Sequence, residues 1–294
     1  MILSNIDGRS SNLVLSRRKQ ESRWLRQPSA PVRRTASPGS VSQWLAPLER
    51  LAATSANWVA KPVGHFEHAG ERYPVPRYTF VGNRSSDAPI RIGIFAGIHG
   101  DEPEGVRAVA QFAQLLETLP ELAAGYALSL YPICNPTGLE DRTRHSRNGK
   151  DLNREFWRNS VEPEVRLLED ELSSQKFDGI IALHTDEHSH GVYGYARGAT
   201  LTKHLLRPAL AAAAELLPVN FDERIDGFQA KDGLIEECYE GVLSAPPTAR
   251  SRPFEIILEA PGLAPLYLRE VALVVALRAV LDEYRKFIAY APNL

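Results

Sequence analysis

The feature that most constrains this chain is an alternation of short apolar runs with helical patterns, in which several runs end on a polar side chain. Residues 91–97 (RIGIFAG) are nearly all apolar, as a strand covered on both faces must be. Pro103 then opens a helix reaching about Glu117, with Val106, Val109, Phe112, Leu115 and Leu116 on one stripe. Arg77 to Val81 and Tyr126 to Cys134 read as further strands, and Asn135 to about Arg158 as a polar loop. Helical spacing returns over 163–174, through Val165, Leu167, Leu168 and Leu172. Ile180 to His184 reads as a buried strand, Leu201 to Leu217 as a helix, and Phe254 to Glu259 as the last strand. A long amphipathic helix follows from Ala264 to about Ala289. Ser42 is placed to cap a short helix over 43–54. Such alternation predicts an α/β fold, with a central, mostly parallel, mixed sheet and helices on both faces.

Composition removes several function classes. The hydrophobic share of 44% is too high for a disordered polymer, and a net charge of −2 argues against a dedicated nucleic-acid binder. No apolar run approaches the ~18 residues of a membrane span. Residues 1–40 differ from the rest, with eight basic residues against two acids and frequent serine. They read as a disordered basic tail preceding a globular, catalytic domain over 41–294, whose own balance is then −8. The tail lacks an apolar signal segment, so the expected location is cytoplasmic. Cys134 ends an apolar run and reads as a small core residue; nothing supports a disulfide to Cys238.

In α/β folds ligands bind beyond the carboxyl ends of the strands. Those ends carry His99-Gly100-Asp101-Glu102, Asn135-Pro136-Thr137-Gly138, His184 and Glu259. His-x-x-Glu is a weak cue by itself, since His68/Glu71 and His184/Glu187 share it. His99 and Glu102 stand apart because they occupy a strand-to-helix turn, between glycines that allow close backbone approach. Taken alone, they read more readily as a turn histidine and a carboxylate favoured by a helix N-terminus. His184, at the end of a buried strand, supplies a third ligand. Two imidazoles and a carboxylate, with water in the fourth position, make a catalytic zinc site. His188 and His190 read as a solvated loop, with a second metal as the alternative.

The loop NPTGLEDRTRHSRNGKDLNREF (135–156) is the most specific segment. With HGDEPEG, His184 and Glu259 in ILEAP, it resembles the zinc carboxypeptidases: carboxypeptidase A and the murein-peptide amidases, a superfamily shared with succinylglutamate desuccinylase and aspartoacylase. The likeness covers about residues 75–290. It implies that His99, Glu102 and His184 bind one zinc ion, and that Glu259 is the general base and proton donor. Asn153 and Arg154 would grip a terminal carboxylate, Arg144 would stabilise the oxyanion, and Asp151 would orient His99. Each role is physically sound. An Arg fork matches a carboxylate, and a guanidinium by the carbonyl favours charge that develops in the transition state. Arg142 and Arg147 compete with Arg144, which stands nine residues before Asn153; Glu255 competes with Glu259. Tyr239 is left out, because its spacing does not match the family's tyrosine.

The resemblance implies a metallocarboxypeptidase-like hydrolase acting on a peptide or related amide next to a free carboxylate. The alternative is an N-acyl amino acid deacylase; an inactive binding module on the same fold is a third reading. Deacylases of the family add a β-rich domain after the catalytic glutamate, whereas the 35 residues after Glu259 read as one helix. That favours the peptidase, while the short gap from Glu102 to His184 favours the deacylase. The expected partner is a peptide or acyl-amino-acid substrate, with neither nucleic acid nor membrane involved.

Overall fold

A computed structural model describes residues 40–81, 89–198 and 202–290. The basic tail expected over 1–40 lies, Ser40 excepted, outside the described residues. The chain begins with helix α1 (Val41–Thr54) and strands β1 (Trp58–Ala60), β2 (Gly64–His68), β3 (Glu71–Val75), β4 (Tyr78–Phe80) and β5 (Ile90–Ala96). It continues through α2 (Pro103–Thr118), β6 (Tyr126–Tyr131), α3 (Pro136–Asp141), α4 (Pro163–Gln175), β7 (Gly179–Asp186), β8 (Tyr193–Gly198) and α5 (Thr202–Ala213). Three two-residue strands follow, β9 (Arg224–Ile225), β10 (Phe228–Gln229) and β11 (Leu234–Ile235), then β12 (Phe254–Pro261) and α6 (Leu266–Tyr290). The elements belong to one compact unit, Pro38–Leu294. No helix among the described residues is long and apolar enough to cross a membrane.

Eight strands form a mixed sheet in the order β1-β4-β6-β5-β7-β12-β8-β11. Its centre, β6-β5-β7-β12, is parallel throughout. The chain leaves β5 through α2 to reach β6 on one side, and returns later to β7 on the other. Strand order therefore reverses at β5, and a crevice opens beyond the carboxyl ends of β5 and β7. The expected α/β architecture is the one observed, with the helices unequally shared. On one face α1, α2, α5 and α6 close the larger core around Ile94, Phe112, Leu130, Leu258 and Leu277. On the other, α4 packs Val165, Leu168 and Leu172 against Phe95, Tyr131 and Ile180.

Several boundaries move for local reasons. Helix α1 starts at Val41, so Ser42 lies inside its first turn and does not cap it; its Oγ meets Ser40 Oγ at 2.7 Å. Strand β6 stops at Tyr131, yet Ile133 and Cys134 remain wholly buried, because Cys134 N–H and Asn135 N–H bond to Ala96 and Gly97. Both cysteines are free thiols. The predicted polar loop contains α3 and a 3-10 turn, Leu152–Arg154. Strands β1–β3 and β9–β11 carry too few residues, or too much polarity, to announce themselves.

The first turn of α4 buries Glu164, whose Oε1 accepts from Thr137 Oγ1 at 3.4 Å while Oε2 has no partner. Desolvation, reinforced by nearby Glu162, pushes this carboxyl up to about 7. Folding thus favours its protonated form. The group supports the fold most fully below its unfolded value near 4.5, and that support is lost as pH rises towards 7. Glu164→Gln is expected to gain stability over wild type between pH 5 and 8, by on the order of 2 kcal/mol. Urea melts at several pH values check this, and a difference independent of pH contradicts it.

Candidate active site

Two strand exits are fastened together before any functional group is placed. Beyond β5 the chain turns at Gly97 (φ +60°), and Gly100 passes so close to α3 that a Cβ there would lie 1.9 Å from the Gly138 carbonyl carbon. Asn135, buried after β6, accepts from Gly138 N–H at 2.8 Å and donates Nδ2–H to the Ile98 carbonyl at 3.3 Å. This bolted turn delivers His99 and Glu102 into the crevice, 3% and 8% exposed.

There they meet His184, from the end of β7. Glu102 Oε1 lies 2.6 Å from His99 Nδ1, and Oε2 lies 3.0 Å from His184 Nδ1. Oε2 also accepts from the Thr185 backbone N–H at 3.1 Å. One ligand atom from each of the three residues falls within 4.8 Å of the others, and no other such group occurs among the described residues. The three expected ligands are therefore brought together. Glu102 spends its carboxylate on this cluster and does not cap α2. His68 and Glu71 pair across the β2–β3 hairpin, while His188 is exposed and meets Glu187 at 3.3 Å. His190 is also exposed, so neither it nor His188 joins a metal cluster.

Electrostatics follow from that burial. Desolvation opposes the Glu102 charge, but the two imidazoles outweigh it and hold the carboxyl well below the usual range. Burial likewise opposes charging of His99; Glu102 and Asp151 prevail and lift the imidazole to about 9. His184, more deeply enclosed, is pushed down by burial. The donor set, two Nδ1 atoms and a carboxylate, suits a zinc ion. The other nitrogen of His99 faces Asp151 Oδ1 at 3.1 Å, the usual second partner of a metal-binding histidine.

Asp151 serves several neighbours. Oδ1 also accepts from Asn153 N–H at 3.0 Å, and Oδ2 accepts from Arg144 Nε–H at 3.0 Å. Arg144 Nη1 approaches Glu102 Oε1 at 3.6 Å, so this arginine borders the cluster with its side chain 40% exposed. Arg147 is committed elsewhere, to Asp141, Glu140 and Tyr73. Arg142 closes α3 in the left-handed region, at φ 54°. Of the three competing arginines, Arg144 contacts the cluster. Asn153 Oδ1 accepts from Leu243 N–H at 2.9 Å. Arg154 stacks its guanidinium 4.1 Å from the Tyr239 ring centroid and forms no ion pair among the described residues. Tyr239, set aside on spacing, is thus packed against Arg154. Its signal was an aromatic inside the non-periodic stretch 219–253.

Glu259 is the registered neighbour of His184 across β7 and of Tyr193 across β8. Burial, then the charges of Glu102, Asp186 and Asp226, push its carboxyl well above the ordinary value, with Arg144 opposing. Glu255 is occupied: it accepts from Ala245 N–H at 2.7 Å and faces Arg197 at 3.9 Å. Tyr193 and Tyr195, which flank Glu259 and Ile257, donate to Asp186 and Asp226, each at 3.0 Å. The alternation Val192-Tyr193-Gly194-Tyr195-Ala196 was the overlooked sign of that strand.

The sequence profile of the succinylglutamate desuccinylase/aspartoacylase catalytic domain matches residues 89–230. No curated protein matches the chain. Among solved structures, a candidate metallopeptidase of Shewanella denitrificans OS217 is 23% identical at a TM-score of 0.67, over 82% of this chain and 89% of that one. A metallo-carboxypeptidase of Burkholderia cenocepacia is 17% identical at a TM-score of 0.66, over 85% and 70%. A Pseudomonas aeruginosa metallo-carboxypeptidase, solved with (2-guanidinoethylmercapto)succinic acid, is 16% identical at a TM-score of 0.64, over 85% and 70%. Over residues 89–230 the chain is similar to the desuccinylase/aspartoacylase catalytic domain, and its fold is that of the metallo-carboxypeptidases. Within that fold, His99, Glu102 and His184 form a cluster able to hold a metal.

The close passage at Gly100 is the geometric base of the site. Gly100→Ala must push α3 away from the His99 turn, and is expected to cost about 1–3 kcal/mol or more. Thermal unfolding that matches wild type would show that the contact tolerates a methyl group.

Proposed function

We propose that the chain is a zinc-dependent hydrolase that cleaves a peptide or related amide bond next to a free carboxylate. The observation behind this reading is the convergence of His99, Glu102 and His184, with Glu259 registered beside His184. In this reading those three residues hold one zinc ion, which supplies Lewis acidity and lowers the pKa of a bound water towards ~7. Glu259 takes the proton from the attacking water and delivers it to the departing nitrogen. Arg144 faces the carbonyl oxygen, where its charge favours an oxyanion present only in the transition state. Arg154, stacked on Tyr239 and without an ion pair among the described residues, binds the substrate carboxylate with Asn153. Asp151 fixes the His99 ring and the Arg144 side chain together.

The fold neighbours favour the carboxypeptidase reading, and the dicarboxylic ligand of the Pseudomonas protein suits an arginine-based grip. The domain profile over 89–230 favours the second reading, an N-acyl amino acid deacylase. A panel of peptides against acetyl- and succinyl-amino acids separates them; turnover confined to the acylated amino acids would overturn the first.

Glu259→Gln is expected to keep zinc at one ion per chain and to lose about 10²–10⁴ in kcat. Full activity in that variant removes Glu259 from the mechanism. Arg144→Gln is expected to lower kcat with the melting temperature nearly unchanged. Arg147→Gln should do the reverse, because its partners are structural. Parallel turnover and melting measurements check the pair, and equal kcat losses would contradict the assignment.

A further inference from the structure

The segment HGDEPEG contributes His99 and Glu102 to the cluster, but its last acid, Glu104, has no part in the scheme above. Glu104 lies in the first turn of α2 and is 5% exposed. Its Oε1 pairs with Arg269 Nη1, from the start of α6, at 2.7 Å. Its Oε2 accepts from Thr185 Oγ1 at 3.3 Å. Thr185 follows His184, and its backbone N–H is the donor to Glu102 Oε2 at 3.1 Å. An unbroken chain of polar contacts therefore runs from α6 to the carboxylate shared by both histidines.

The neighbouring residue on α6 acts differently. Glu270 holds Arg107 at 3.2 Å and Gln111 at 2.6 Å, further along the same face of α2. It joins the two helices without touching Thr185. The Arg269–Glu104 pair is also a costly way to join helices. Both charges are largely removed from water, and Arg269 Nε is buried without a partner. Buried pairs of this kind are often matched or bettered in stability by apolar residues. What an apolar pair could not supply is an acceptor for Thr185 Oγ1–H.

We propose that Glu104 and Arg269 are positioning residues of the metal site. They hold Thr185 so that its N–H fixes Glu102 Oε2, and Glu102 then presents one oxygen to each histidine. The inference rests on the zinc reading of the preceding subsection.

The test uses the full chain and zinc alone, measuring the dissociation constant by competition with a chromogenic chelator. Outer partners of metal ligands commonly contribute 10–100-fold in affinity. Thr185→Val, which keeps the side-chain shape, and Glu104→Gln, which removes the charge held by Arg269, are each expected to weaken zinc binding about tenfold. Because both lie on one path, the double variant should be little weaker than either single one. Glu270→Gln is expected to lower the melting temperature of the metal-free protein and to leave the zinc constant within about twofold. Wild-type zinc affinity in Thr185→Val and Glu104→Gln would overturn the inference, leaving only a clamp between helices. A wild-type chain that takes up no zinc would overturn the functional reading itself, a result distinct from the first.

Discussion

A carboxylate largely removed from water must be surrounded by donors, and the arrangement around Glu102 follows from that requirement. Its two oxygens meet two imidazole nitrogens and one backbone N–H. Those donors come from two places, the turn after β5 and two successive residues near the end of β7. None can move far without leaving a buried charge short of a partner, a loss that costs several kcal/mol in a protein interior. The tight passage of Gly100 against α3 and the Asn135 contacts can be understood as what holds this group in place.

Parallel pairing then acts as a ruler. Strands β7 and β12 run side by side from Gly179–Phe254 to Asp186–Pro261, which sets Glu259 opposite His184. A slip of one residue would turn Glu259 to the other face, towards the helical core. The placement of Glu259 relative to His184 is therefore a property of sheet register, fixed by the apolar residues that precede both side chains.

Much of this was legible in the chain, because strands buried on both faces must be apolar throughout, and polar residues closing such runs stand out. That contrast exposed His99, His184 and Glu259, and the helix starting at Pro103 framed Glu102. The loop residues Asp151, Asn153 and Arg154 carried no periodicity and were reached only through likeness to known enzymes. The structure shows why their spacing matters, since Asp151 binds His99, Arg144 and its own neighbour Asn153 together. Strands of two residues left no trace, as β9, β10 and β11 show. Tyr239 and Glu104 were hidden for a different reason. Each acquires meaning only from a partner distant in sequence, Arg154 in one case and Arg269 in the other.

The segment facing Arg154 is held through its main chain as well as by the buried side chains of Leu243 and Ala245. Asn153 grips the N–H of Leu243, Phe156 the carbonyl of Gly241, and Glu255 the N–H of Ala245. The main-chain anchors are indifferent to which side chains the segment exposes. Under the proposed function, replacements at the exposed positions of that wall would redraw the range of molecules accepted while the metal-binding cluster stays untouched, so recognition and bond breaking would be free to diversify on separate evolutionary schedules.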